Sequence, residues 1–221
     1  GPAAPYVNDE DANVTIGGDG EEQTLTITGG GEPGDTVTVT VGEETVDTVI
    51  DEDGNFEAVF EGENFPVDGV YDSVVTVTNP DGEATDLDGP SFEIDTIAPE
   101  IVFTEGTGSA GDFFNDVSFS DGVTLTGTGE AGATLEVTIA GITQTTVVSD
   151  TGSWTVSWDA GSLADGEYTT DVTAVTTDSF GNSRSYSDTL VVDTVTSVTV
   201  DTATVGGDGT INGVEHADGV S

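Results

Sequence analysis

Ser91–Glu100 reads SFEIDTIAPE. Phe92 and Ile94 alternate with polar neighbours as on a half-buried strand. Asp95-Thr96 stops the alternation, and Pro99 lacks the N–H that a ladder would need. A new strand-like run, Ile101-Val102-Phe103, starts directly afterwards. The pattern returns as Leu190-Val191-Val192-Asp193-Thr194, again followed by a β-branched run. The stretch therefore marks a joint between repeated modules, with Asp95 at the first joint and Asp193 at the second. The repeat divides the chain into residues 1–96, residues 97–194 and the start of a truncated third copy over residues 195–221.

Within the first module, Gln23–Thr28, Thr36–Val41, Thr45–Ile50, Asn55–Phe60, Tyr71–Thr78 and Ser91–Ile94 alternate with a period of about two, the period of a sheet with one buried face. Between them stand Gly-Gly-Gly-Glu-Pro-Gly, Asp-Glu-Asp-Gly, Val-Asp-Gly and Asn-Pro-Asp-Gly, residues that turns need for definite backbone reasons. The second module repeats the order. Gly129-Glu130-Ala131-Gly132 answers Gly31-Glu32-Pro33-Gly34, Trp154 answers Phe56, and Asp165-Gly166-Glu167-Tyr168 answers Asp68-Gly69-Val70-Tyr71. No stretch shows helical periodicity. Seven strands per module at a spacing of roughly 8–12 residues predict all-β tandem immunoglobulin-like Greek-key sandwiches joined end to end. Trp154, Tyr168, Phe56 and Tyr71 are the expected core aromatics, and both tyrosines sit where a tyrosine corner would.

The chain carries 44 Asp+Glu against one Lys+Arg, a formal charge of -43. That charge excludes a nucleic-acid surface and disfavours an anionic membrane face. No apolar run approaches the roughly 20 residues of a spanning helix, so no membrane insertion is expected, and a monomer is. With no cysteine there is neither disulfide nor thiolate metal site. The chain opens Gly-Pro and contains no Met, as an excised piece of something longer would.

Several motifs fail on inspection. Asp51-Glu52-Asp53-Gly54-Asn55 starts like an EF-hand loop, but Phe56 and Gly62 occupy the sixth and twelfth positions; an Asp-Gly hairpin turn is expected instead. Gly127-x-Gly129-x-x-Gly132 fits the dinucleotide fingerprint, yet a strand follows it and Glu130 would repel a pyrophosphate. Gly206-Gly207-Asp208-Gly209 opens like a calcium β-roll repeat and does not repeat. His216 is the single histidine, so neither complete module contains a histidine-based triad. No enzyme activity is expected.

Asp95-Thr96-Ile97-Ala98-Pro99, Gly129-Glu130-Ala131-Gly132-Ala133-Thr134, Leu163-Ala164-Asp165-Gly166-Glu167-Tyr168 and Asp178-Ser179-Phe180-Gly181-Asn182 resemble words of the bacterial immunoglobulin-like extender repeats of giant RTX and biofilm-associated secreted adhesins. The resemblance covers the second module and the start of the third. In the first module Asn79-Pro80-Asp81-Gly82 replaces the Asp-x-x-Gly-Asn word, and at the second joint Ser197 stands where Pro99 stood. The resemblance implies a non-catalytic extender on a bacterial cell surface, outside the cell, whose partners are neighbouring modules of its own chain. It also implies Ca2+ at the joints.

An immunoglobulin-like topology aims Glu130 of the B–C loop, with Asp178 and Asn182 of the F–G turn, at the linker carrying Asp95 and Glu100. Calcium takes about six to eight hard oxygens, which separate loops can supply. A second candidate set, Asp112, Asn115, Asp116 and Asp121 with Asp165 nearby, is expected at the opposite end of the second module, and Asp193 at the second joint. Without calcium the modules are expected to swing about Thr96–Ile97. Two other functions compete: ligand binding (sugar, ice or a surface) by Thr-rich faces such as Thr36-Thr38-Thr40, or a haloadapted acidic scaffold without a specific metal. In the third copy, residues 195–201 are expected to be extended and residues 206–221 to lack a core of their own.

Overall fold

The computed structural model describes residues 1–18 and 22–196. What was expected of the third copy beyond residue 196 lies outside the described residues.

The first half runs β1 (Tyr6–Val7), β2 (Asn13–Ile16), β3 (Thr24–Gly30), β4 (Thr36–Val41), β5 (Glu44–Val49), β6 (Asn55–Glu61), β7 (Gly69–Thr78) and β8 (Ala84–Ile94). The second runs β9 (Ile101–Glu105), β10 (Phe114–Asn115), α1 (Asp116–Ser120), β11 (Val123–Gly129), β12 (Thr134–Ile139), β13 (Ile142–Val147), β14 (Ser153–Trp158), β15 (Glu167–Thr177) and β16 (Ser183–Asp193). Each half pairs a three-stranded sheet with a five-stranded one: β1-β3-β6 with β2-β8-β7-β4-β5, and β14-β11-β9 with β10-β16-β15-β12-β13. These are two immunoglobulin-like sandwiches. Alternate residues supply the cores, as β3 shows with Leu25 and Ile27 inward and Thr24 and Thr26 outward.

Eight strands per sandwich replace the seven expected. The first strand splits: β1 and β9 pair antiparallel in the small sheets, while β2 and β10 join the large sheets parallel to β8 and β16. Gly106, φ 89°, is where the second sandwich makes this switch; a Cβ there would stand 2.6 Å from the Thr124 carbonyl. Ser91–Ile94 proves to be the end of a longer strand, β8.

Two further expectations need correction. The absence of helix fails at α1, which is too short to show periodicity and is nucleated by a capping box between Asn115 and Ser118. The Asp51–Asn55 turn is not a hairpin. Asp51 Oδ1 accepts from Asp53 N (3.0 Å) and Asn55 N (2.9 Å), but the flanking β5 and β6 belong to different sheets.

Phe56 and Trp154 are buried, and Tyr71 and Tyr168 pack against the cores half-buried. Both form tyrosine corners: Tyr71 Oη donates to the Val67 carbonyl (2.6 Å) and Tyr168 Oη to the Ala164 carbonyl (2.5 Å). Both tryptophans, Trp154 and Trp158, lie in the second core. Thr176, fully buried on β15, has a hydroxyl with no hydrogen-bond partner among the described residues. Val77 holds the same place on β7, since Val37 opposes Val77 where Leu135 opposes Thr176.

Candidate cation site at the joint between the sandwiches

Three segments meet where β8 gives way to β9: the linker 95–100, the loop from β11 to β12 beginning at Glu130, and the turn from β15 to β16. Asp178 builds that turn. Its Oδ1 accepts from Phe180 N and Asn182 N (both 2.9 Å), and its Oδ2 accepts from Asn182 Nδ2 (2.8 Å). The local cause is the Asp-x-x-Gly-Asn spacing, in which a short acidic side chain caps its own turn. Asp178 and Asn182 are consequently buried.

The linker is tied on both sides. Asp95 N donates to the Ile16 carbonyl (3.0 Å), and Asp95 Oδ1 accepts from Ile97 N (3.0 Å). Thr96 donates to the Asp68 carboxylate through its N–H (3.1 Å) and its hydroxyl (2.9 Å). The Asp95 carbonyl accepts from Asn182 Nδ2 (2.8 Å), and Asn182 Oδ1 accepts from Gly18 N (2.7 Å).

Electrostatics join Glu130 to this group. Its carboxyl is held above the ordinary 4.5, first by burial and then by the charges of Asp178 and Asp95. In the first sandwich the matching Glu32 accepts from Ala3 N (2.7 Å). Sheet register puts Pro99, which has no N–H, in the place of Ala3, because Tyr6 opposes Gly30 as Val102 opposes Thr128. Glu130 thus loses a donor and gains two like charges.

Of the residues expected at this end, Asp95, Glu130, Asp178 and Asn182 come together. Glu100 turns to the only Lys or Arg of the chain, Arg184, 3.2 Å away. The second expected set is not gathered. Asp112 folds back to accept from Gly106 N (2.7 Å), Asn115 caps α1, and Asp116 and Asp121 stand at its two ends. Asp165 contributes to raising Tyr168 after burial, and Asp193 lies opposite Asn115 and Glu167 in the sheet.

Among the described residues, no three His, Cys, Asp or Glu side chains are grouped closely enough to hold a metal ion. The donor type nevertheless suits a hard cation. The Glu130 carboxylate and Asp95 Oδ2 accept no hydrogen bond among the described residues, and the charge of Asp178 helps to raise Glu130. Asp95, Glu130 and Asp178 are oxygen donors of the type Ca2+ takes, whereas the residues of the second set are dispersed.

Sequence reasoning missed Gly17 and Gly18, which meet the Phe180 turn across the joint. Their signal was a glycine pair directly after an alternating run. It also missed Ser109, whose N–H and hydroxyl donate to the Asp188 carboxylate.

Residues 103–194 match the family model described as a bacterial Ig-like domain. No curated protein matches the chain. Among solved structures, one similar chain is a Ca2+-stabilised adhesin with which an Antarctic bacterium reaches out and binds ice. It is 25% identical with a TM-score of 0.46, over 98% of this chain and 55% of that one. Another, from work on host-cell surface retention of a 1.5-MDa bacterial ice-binding adhesin, is 23% identical with a TM-score of 0.46, over 95% and 71%. A tetra-tandem repeat from the extending region of a large adhesion protein is 21% identical with a TM-score of 0.36, over 87% and 53%. The chain spans about half the length of the first of these.

Proposed function

We propose, from the match of residues 103–194 to the bacterial Ig-like domain model, that the chain is a non-catalytic extender segment of a bacterial cell-surface adhesin. Its modules, residues 1–96 and 97–194, are spacers that work outside the cell by holding distance, in tandem with further modules of the same protein. Among the described residues no helix is long and apolar enough to cross a membrane. The observation that carries the reading is the hydrogen-bonded linker between two like sandwiches, in which Asp95 N donates to the Ile16 carbonyl and the Asp95 carbonyl accepts from Asn182 Nδ2.

Ca2+ at this place would have to draw Asp95, Glu130 and Asp178 together as its oxygen donors. Carboxylates about 4–5 Å apart repel by roughly 3–4 kcal/mol at an effective dielectric of about 20. A divalent ion turns that repulsion into shared coordination between linker and second sandwich, so bending the joint would strain metal–oxygen contacts. Binding only to the ordered joint stabilises it by about 2.7 kcal/mol at a hundredfold excess over Kd.

Thermal melting with calcium, with chelator, and with sodium at matched ionic strength tests the proposal. Calcium is expected to raise the melting temperature, and Asp95→Ala or Glu130→Ala to abolish the rise. Equal effects of calcium and sodium would leave the acidic coat as the explanation of the charge.

A further inference from the structure

The two sandwiches are also tied by a contact that needs no metal ion. The Asn182 carboxamide is 0% exposed. Its Oδ1 accepts from Gly18 N (2.7 Å) in the first sandwich. Its Nδ2 donates to the Asp95 carbonyl (2.8 Å) in the linker and to Asp178 Oδ2 (2.8 Å) in its own turn. One side chain thus joins three segments, and the amide orientation follows from its neighbours, a donor on one side and two acceptors on the other.

Beside it the backbones pack without room for a side chain. A Cβ on Gly17 would stand 2.2 Å from the Phe180 carbonyl oxygen and 2.8 Å from Phe180 Cβ. We infer that Asn182 and the Gly17–Gly18 face form a metal-independent lock that sets the angle between these two sandwiches.

The chain contains its own controls. The turn from β7 to β8 has the same backbone bonds, Asn79 N to the Glu83 carbonyl (3.0 Å) and Gly82 N to the Asn79 carbonyl (2.9 Å). There the acid and the amide have changed places: Asn79 Nδ2 donates to Glu83 Oε2 (2.9 Å). The side chain of Glu83, in the place of Asn182, has no N–H to offer a linker carbonyl. At the far end of the second sandwich, Ile16 opposes Ile94 as Phe114 opposes Val192, so Asn115 and Asp116 stand where Gly17 and Gly18 stand in the first. Side chains occupy the positions that must be bare for this seat. The lock therefore belongs to this joint and is not a general property of the module. A buried amide stripped of these partners would leave two donors and an acceptor unsatisfied, so the locked angle is favoured over neighbouring ones.

The test uses spin labels at Glu57→Cys and Thr155→Cys, exposed strand positions in a chain without native cysteine, with distances read by double electron–electron resonance. In chelator the otherwise unaltered chain is expected to give one narrow distance distribution. Gly17→Ala and Asn182→Leu are each expected to at least double its width. Gly17→Ala leaves the second sandwich intact, which tryptophan fluorescence melting verifies, so loss of fold in Asn182→Leu does not decide the outcome. A distribution in chelator as broad as that of Gly17→Ala overturns the lock, whatever calcium does. A narrow distribution in chelator that Gly17→Ala broadens upholds it, even if calcium has no effect and the calcium proposal fails.

Discussion

Thr176→Val should stabilise the second sandwich. The hydroxyl is buried with no partner among the described residues, and a buried polar group left unpaired costs about 1–3 kcal/mol. Valine replaces it with a methyl group of similar volume. Threonine and valine are not interchangeable where the hydroxyl is bonded, but here no bond is lost. The first sandwich already carries Val77 at this register, buried in the same manner. Taking the low end, about 1 kcal/mol corresponds to a rise of roughly 4–8 °C in Tm for a domain of this size. Because Trp154 and Trp158 both lie in the second core, tryptophan fluorescence follows that sandwich alone. The mirror substitution, Val77→Thr, should lower the transition of the first sandwich in calorimetry by a comparable amount and leave the fluorescence transition in place. An unchanged or lower fluorescence Tm for Thr176→Val would mean that the hydroxyl has a partner in solution, and the argument would fail.

Glu130→Gln tests the electrostatics of the joint. The folded chain holds the Glu130 proton more tightly than the unfolded chain, so stability declines as pH climbs from the ordinary 4.5 through the raised value. In chelator the variant should melt higher than the native protein at pH 7, and the two should converge below pH 4.5. Asp188 is the opposite case: burial raises it, but hydrogen bonds from Ser109, Thr189 and Thr107 outweigh that and lower it below 3.8. Its contribution is present above the ordinary value and is lost as pH falls through the lowered one, so Asp188→Asn should lower Tm at pH 7 and flatten the acid limb of the melting curve. Tyr168→Phe removes the corner bond to the Ala164 carbonyl and should cost about 1 kcal/mol, seen as a lower fluorescence Tm; Tyr71→Phe should cost the same without moving that signal.

Most of the strands were legible because a sheet with one buried face writes its period into the sequence. Thr36–Val41 is bounded where the alternation of Thr and Val begins and ends. Turns announced themselves through glycine, asparagine and aspartate, and the repeat of Asp-Gly-x-Tyr placed both tyrosine corners. The meeting of Asp95, Glu130 and Asp178 was legible for a topological reason. Once the order of strands is known, the loops at the leading end of a sandwich must face whatever precedes it.

The sequence by itself determined the sandwiches, since alternation, turn chemistry and an internal repeat are local signals that survive without any knowledge of what lies across the core. Tertiary structure alone decided how carboxylates were shared out among partners. Glu100 went to Arg184, Asp112 folded onto Gly106 N, and Asp178 was spent largely on its own turn. It also decided the seat of Asn182 on Gly18, a pair separated by 164 positions. The physical reason is that a side chain's charge and hydrogen-bonding capacity are properties of its chemistry, whereas the partner that satisfies them depends on which backbones approach closely. Gly17 met Phe180 through the angle between two sandwiches, an angle that the period of neither strand encodes.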